Sequence, residues 1–387
     1  MRTRMTEMFG IEIPVFAFTH CREVVAAVSA AGSMGVYGAS PFPPEKVEED
    51  LAWIAQHCGG KPFGVDVMLP MKSDTRGLSG DVKAVEAELE KGIPQQHRDF
   101  VDSLLTRFDV PPLPSGEGAL RKGVPYQRGW RNTWYSYRLG AVEDGARLQV
   151  EIALKHPIAV LVSALGPPPP DLVKRAREKG IKLGALVGSP RHAQSQVRAG
   201  VDFIIAQGTE AAAHTGDIAT MVLVPEIVEA VSPIPVLAAG GIATGRQLAA
   251  ALALGAEGAW TGSIWLGVAE SDEPPEVIER LLAAKSSDTM FSNCRTGKHL
   301  RQLATPWAEA WEGPDSPGTL AMPTQHLLTA EAEQRFHVHQ RGDLTCVPMG
   351  QAVGQIKSVR PAGDVLRDMA AECESTIAKM QSLAGRG

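Results

Sequence analysis

Hydrophobic positions along this chain fall into two alternating rhythms. Short apolar or β-branched runs occur at 13–18, 34–37, 62–69, 157–163, 181–187, 202–206, 235–239 and 258–262. Between them, apolar residues recur every three to four positions at 22–31, 44–57, 143–155, 171–179, 191–199, 222–231 and 245–254. The first rhythm predicts buried strands and the second amphipathic helices. Strands that are apolar throughout and alternate with helices indicate a parallel sheet covered by helices. Eight such strands between residues 13 and 262 fit an α/β protein of the closed (β/α)8, or TIM-barrel, type better than an open doubly wound sheet. The Rossmann alternative also lacks its signature, because no G-x-G-x-x-G follows the first strand.

Two segments interrupt the rhythm and divide the chain. Residues 11–70 and 141–285 carry the barrel pattern. Residues 71–140 form an insertion holding Tyr126, Tyr135, Tyr137, Trp130 and Trp134. Its aromatic residues either build a small core of their own or form a lid that lays Tyr126, Trp130 and Trp134 over the barrel mouth. Residues 286–387 supply a C-terminal arm and a closing helix. The stretch 286–341 reads as irregular and proline-rich, with Trp307 and Trp311 in "TPWAEAWE", and predicts either an arm across the barrel or a contact in a homodimer.

Composition narrows the function classes. A chain of 387 residues with 44% apolar residues can bury a sizeable core. A net charge of −6 without a basic stripe argues against a nucleic-acid partner. The longest apolar runs, such as 248–256, are too short to span a bilayer. The opening "MRTRMTEMFG" has no long apolar stretch of the kind a signal peptide needs. The five cysteines (21, 58, 294, 346 and 373) are scattered, with no C-x-x-C pair. They predict reduced thiols in a cytoplasmic protein rather than a disulfide framework or a metal site.

In a barrel of this kind, function sits where strands end. After strand seven, "AAGGIATGRQL" leaves the amides of Gly240 and Gly241 uncovered before Thr244 or Gly245 opens a helix. After strand eight, Trp260 and Thr261 deliver Gly262 and Ser263 straight into another helix. Bare amides beside helix starts form anion sites, and loops seven and eight are the usual phosphate position in this fold. The alternative is that these glycines only make tight turns. After strand six, Gln207 leads into "GTEAAAHTGD", where Ala211, Ala212 and Ala213 keep the surface low and His214 follows. Imidazole suits proton transfer near neutral pH, although a loop histidine can also cap a helix or bind a carbonyl. His20 and Cys21 follow strand one. His20 either contacts substrate or caps the next helix, and Cys21 reads as an inert small residue. Asp66, near the end of strand three, either holds ligand hydroxyls or pairs with a neighbouring loop. There is no G-x-S-x-G, Walker A, H-E-x-x-H or strand-end Schiff-base lysine. One histidine beside a phosphate site leaves the harder chemistry to a cofactor.

Together, "AQGTEAAAHTGD", "PVLAAGGIATGRQLAAALALGAEGAWTGSIWL" and "GQAVGQIKSVRPAGDVL" resemble the nitronate monooxygenase family, once called 2-nitropropane dioxygenases. The resemblance covers about residues 11–69, 142–270 and the tail from 347. It implies an FMN-dependent barrel that uses O2 and a small-molecule substrate. It also implies an FMN phosphate on Gly240, Gly241, Gly262 and Ser263, with Trp260 and Thr261 beside them. Gln207 and the backbone at Ala212 would lie beside the flavin, and Ala17 and Phe18 under its ring. His214 matches the family's catalytic base, which takes the α-proton of a nitroalkane; a nitronate arrives already deprotonated. Three places depart from the family pattern. Ala212 and Ala213 replace Gly-Gly, Asp66 replaces asparagine, and Ala17-Phe18 replaces Pro-Met. Repulsion from a phosphate would place Asp66 near flavin hydroxyls instead. Other readings are a related flavin barrel that uses NAD(P)H to reduce a quinone or enoyl thioester, a flavin protein without catalysis, and a flavin-free phosphate-sugar isomerase or lyase.

Overall fold

The computed structural model describes residues 1–68, 82–113, 143–164 and 166–385. Tyr126, Trp130 and Trp134 lie outside the described residues. Eight parallel strands close into a barrel: β1 (Val15–Thr19), β2 (Met34–Gly38), β3 (Phe63–Val67), β4 (Val160–Ser163), β5 (Lys182–Val187), β6 (Phe203–Gln207), β7 (Val236–Ala239) and β8 (Ala259–Thr261). Closure is made by β8 on β1, with Phe16 opposite Trp260 and Ala17 opposite Thr261.

Each strand points alternate side chains to opposite faces. Phe16, Met34, Val36, Val160, Val162, Phe203, Ile205, Leu237 and Trp260 fill the barrel. Their neighbours, such as Val15, Ala17, Val65, Ile204 and Ala238, pack outward against the helices. The N-terminal end is plugged by α1 (Arg4–Phe9), a helix that the hydrophobic pattern does not single out. Thr3 caps it, and Met5, Phe9 and Ile11 enter the barrel core. Phe9 meets Phe16 and Phe203 edge-on, with ring centroids 5.5 and 5.9 Å apart.

The helices α2 (Arg22–Ala30) and α3 (Pro44–His57) follow the first two strands. Beyond them come α4 (Val82–Lys91), α5 (Gln95–Arg107) and α6 (Glu143–Ala153). The barrel then continues with α7 (Pro170–Glu178), α8 (Pro190–Ala199), α9 (Thr220–Val231), α10 (Gly245–Ala253) and α11 (Pro275–Ala283).

The stretch expected to be irregular is regular. It holds an antiparallel hairpin of β9 (Thr289–Ser292) and β10 (Leu300–Leu303), then α12 (Pro306–Trp311) and α13 (Thr324–Val338). The sequence hides α13 because it buries Gln325, Thr329 and Glu333 as well as Leu328, Ala332 and Phe336, which blurs the apolar stripe. Trp307 and Trp311 are buried in a cap core with Ile93, Val101, Leu104 and Leu105 from the insertion. The insertion and the C-terminal arm therefore share one core. The closing helix α14 (Ala362–Ala384) runs against α10 so tightly that a Cβ on Gly245 would lie 2.3 Å from the Met369 carbonyl oxygen.

Candidate active site

The strands end in a ring of small and polar residues. Phe18, at the end of β1, stacks on Trp260 with centroids 5.9 Å apart. Trp260 itself belongs to the barrel core. Thr261 Oγ1 accepts from Trp265 Nε1 at 2.9 Å and lies 3.3 Å from the Phe16 carbonyl oxygen. These side chains hold the strand end in place. Ala17 packs outward into the helix layer, so only its backbone borders the barrel interior.

The two glycine turns lie side by side because β7 pairs with β8. Gly240 (φ 109°) and Gly241 (φ 71°) occupy backbone conformations that suit glycine. A Cβ on Gly240 would sit 2.7 Å from Thr220 Oγ1 and 3.1 Å from the Gly208 carbonyl oxygen. A Cβ on Gly262 would meet nothing nearer than Phe18 at 4.0 Å, so that turn faces open space. Among the described residues, the amides of Gly240, Gly241, Gly262 and Ser263 have no acceptor. The 3-10 turn Ser263–Gly267 starts there, and Ser263 Oγ accepts from the Gly350 amide at 3.0 Å.

Most amides at the N-terminus of α10 are already bonded within the chain. Thr244 accepts from the Gln247 amide at 3.4 Å, while Gln247 Oε1 takes the amides of Ala243 and Thr244 at 2.8 and 3.1 Å. A capping box has used those donors internally.

The loop bearing His214 is tied down on three sides. The Glu210 carboxylate accepts from Thr220 N at 2.9 Å and Thr220 Oγ1 at 2.8 Å, and the Glu210 carbonyl accepts from Gln351 N at 2.9 Å. Arg301 donates through Nε to the Thr209 carbonyl at 2.9 Å and through Nη1 to Thr289 Oγ1 at 3.1 Å. Its guanidinium lies 4.0 Å over the Phe291 ring. Ala213 has φ 61°, a left-handed conformation that costs a non-glycine residue ~1–2 kcal/mol. Two backbone bonds with Arg301, at 3.0 and 2.9 Å, hold it there.

His214 Nδ1 lies 2.8 Å from the carbonyl oxygen of His299. A carbonyl only accepts, so Nδ1 carries the proton and Nε2 keeps its lone pair. Burial lowers the pKa below the usual histidine value, and the charges of Lys298 and Arg295 push the same way against the carbonyl bond. The ring is thus a neutral base of fixed tautomer beside cationic side chains. Gln207, at the tip of β6, is half-buried, and its side-chain amide bonds to no described residue.

His20 donates from Nδ1 to the Gly38 carbonyl at 2.7 Å and packs edge-on to Phe18. It does not cap α2, whose N-cap is Cys21. Cys21 is buried, and desolvation with Asp272 nearby pushes its thiol pKa up, as fits an inert residue. Asp66 is 4% exposed and forms no ion pair or side-chain hydrogen bond among the described residues. Desolvation alone raises its pKa well above the carboxylate range.

Sequence reasoning missed Glu210, Arg301 and the carbonyl of His299. The signal available for Gly350 was its place in "GQAVGQ". A Cβ there would lie 2.7 Å from the Glu210 carbonyl oxygen and 3.0 Å from the Ala212 amide nitrogen.

A family model described as nitronate monooxygenase matches residues 121–372. A relative from Mycobacterium tuberculosis, by name a candidate monooxygenase, is 46% identical over 100% of this chain and 100% of its own. A Staphylococcus aureus protein (strain MSSA476) named as a probable nitronate monooxygenase is 28% identical over 95% of this chain and 96% of its own. The solved structure of a nitroalkane oxidase from Streptomyces ansochromogenes shares the fold, with a TM-score of 0.75 and 24% identity over 97% of this chain and 99% of that one.

Proposed function

The chain belongs to the nitronate monooxygenase family and is an oxidoreductase, and from that premise we propose that it uses FMN and O2 to oxidise nitronates and nitroalkanes to carbonyl compounds and nitrite. The observation that carries this reading is His214, held as a neutral base with Nε2 free on the loop after β6, whose Glu210 and Ala211 lie against paired glycine turns rich in open amides.

The residues present fit the cofactor. Four uncommitted amides at Gly240, Gly241, Gly262 and Ser263 suit a phosphate, and the open space at Gly262 leaves room for it. Gln207 and the Ala212 amide supply polar contacts for a ring system, and Phe18 supplies an apolar floor. When bound, FMN supplies the two-electron acceptor and the place where O2 is reduced.

The chain's own residues do the rest. Nε2 of His214 takes the α-proton of a neutral nitroalkane, while the His299 carbonyl keeps the imidazole oriented. A nitronate needs no such transfer and is drawn in by Lys298, while Arg295 faces Glu333. The low surface at Ala211–Ala213 lets a flat substrate approach the base.

The test is the spectrum of the purified protein, then anaerobic mixing with propionate 3-nitronate or with NADH. A yellow protein bleached by the nitronate supports the reading. Fast bleaching by NADH alone favours a reductase. A protein that stays colourless after incubation with FMN refutes a flavin function.

A further inference from the structure

Asp66 is the one buried carboxyl of the barrel interior among the described residues that the site described so far leaves without a task. On β3, Phe63, Val65 and Val67 face the helix layer. Gly64 and Asp66 therefore face inward, and a Cβ on Gly64 would indeed meet Val160 and Val36 of the barrel core. Asp66 is the last inward position of its strand. It stands opposite Gly38 of β2 and Val162 of β4, across the closed barrel from the glycine turns of β7 and β8.

Among the described residues, the elements around it offer no cation. On β2, Gly38 has no side chain and the His20 ring lies over it, its Nδ1 proton committed to the Gly38 carbonyl. On β4, the inward neighbours are Val160 and Val162. The other nearby acid, Asp50, sits on the outer side and is bound to Tyr37, Lys46 and Arg22. A carboxylate in such surroundings would be desolvated and unpaired, while a protonated carboxyl has one O–H that needs an acceptor. None of the described residues supplies that acceptor.

We propose that Asp66 acts as a carboxylic acid, donating its proton in a hydrogen bond to an acceptor on the ligand at the barrel mouth. The inference rests on the reading of that ligand as FMN. Asp66 is then a positioning residue with the shape of an asparagine, its O–H standing where an amide N–H would. The burial that raises its pKa keeps the donor in place at neutral pH.

The experiment compares wild type with Asp66→Asn. Infrared difference spectra of the apoprotein at pH 7 are expected to show the carbonyl stretch of a protonated carboxyl in wild type, absent from the variant. FMN affinity is then measured by flavin fluorescence between pH 7 and 9, above the titration of His214. Where Asp66 ionises, wild-type Kd should rise about tenfold per pH unit, as expected for one linked proton, while the variant stays flat. A carboxylate-only spectrum overturns the assignment, and so does coincidence of the two Kd profiles over a pH range in which the protonated-carboxyl band of wild type disappears. Should the variant not fold, a wild-type Kd that stays flat while the protonated-carboxyl band disappears overturns it alone. Failure of wild type to take up FMN at any pH overturns the cofactor reading instead.

Discussion

Replacing His214 with glutamine should separate two substrates that differ by one proton. The imidazole presents Nε2 as a base because Nδ1 is bound to the His299 carbonyl at 2.8 Å. Glutamine keeps polarity and volume but has no basic nitrogen. General-base catalysis contributes typically 10²–10⁴-fold, which at 1.36 kcal/mol per decade is about 3–5 kcal/mol of barrel-mouth stabilisation of proton transfer. Turnover of neutral nitroethane should therefore fall by about 10²-fold or more. Turnover of its nitronate, which carries no α-proton to remove, should change far less. The pH profile gives a second check. The His214 pKa lies below the usual 6.5, so wild-type kcat/KM for the nitroalkane should rise through an apparent pKa under that value and then level off. The variant should lose that rise. Nitrite release and oxygen uptake measure both substrates, and the flavin spectrum confirms that FMN is retained. Equal losses on both substrates, or unchanged nitroalkane turnover, would refute the assignment of His214 as base.

Arg301→Met removes the bonds to Thr209 and Thr289 but leaves the backbone bridge to Ala213. Charge-assisted bonds contribute about 1.5–3 kcal/mol each, and the Glu210 carboxylate also loses a nearby cation. Thermal melts should show destabilisation, and kcat should drop as the His214 loop loosens; an unchanged Tm and kcat would mean the clamp is incidental. Gly240→Ala should cost roughly 1–3 kcal/mol through its φ of 109° and the contact with Thr220, and should weaken FMN binding measured by fluorescence. Wild-type affinity in that variant would argue against a phosphate at this turn. Trp307→Ala should cost about 3–5 kcal/mol in the cap core. Hydrogen exchange should localise the loss to α5, α12 and α13 and leave β1–β8 protected; uniform loss of protection would mean the cap and barrel unfold together.

The barrel was legible because its evidence is local. Two-faced apolar strands and 3.6-period helices each announce themselves within a dozen residues, and all eight strands were found to within a few residues. The glycine turns and the low loop before His214 were legible for the same reason, since small residues at strand ends have few uses. Even the closure of the α10 N-terminus was written locally, as Thr244 three residues before Gln247. By contrast α13 escaped because a helix buried on several sides has no clean stripe, and the cap core escaped because Leu104 and Trp307 join it from segments far apart along the chain.

The sequence alone determined which elements form, their order, and which residue types stand at each strand end. It placed a histidine, a row of small residues and two glycine turns where a ligand could be handled. Only the tertiary structure decided their chemical states. The tautomer of His214 is set by a carbonyl 85 positions away, and the strain at Ala213 is held by Arg301 from a strand beyond the barrel. Asp66 owes its raised pKa to an apolar barrel closed around it. Proton affinity depends on solvation and on neighbours in space, and folding, not spacing along the chain, brings those neighbours together.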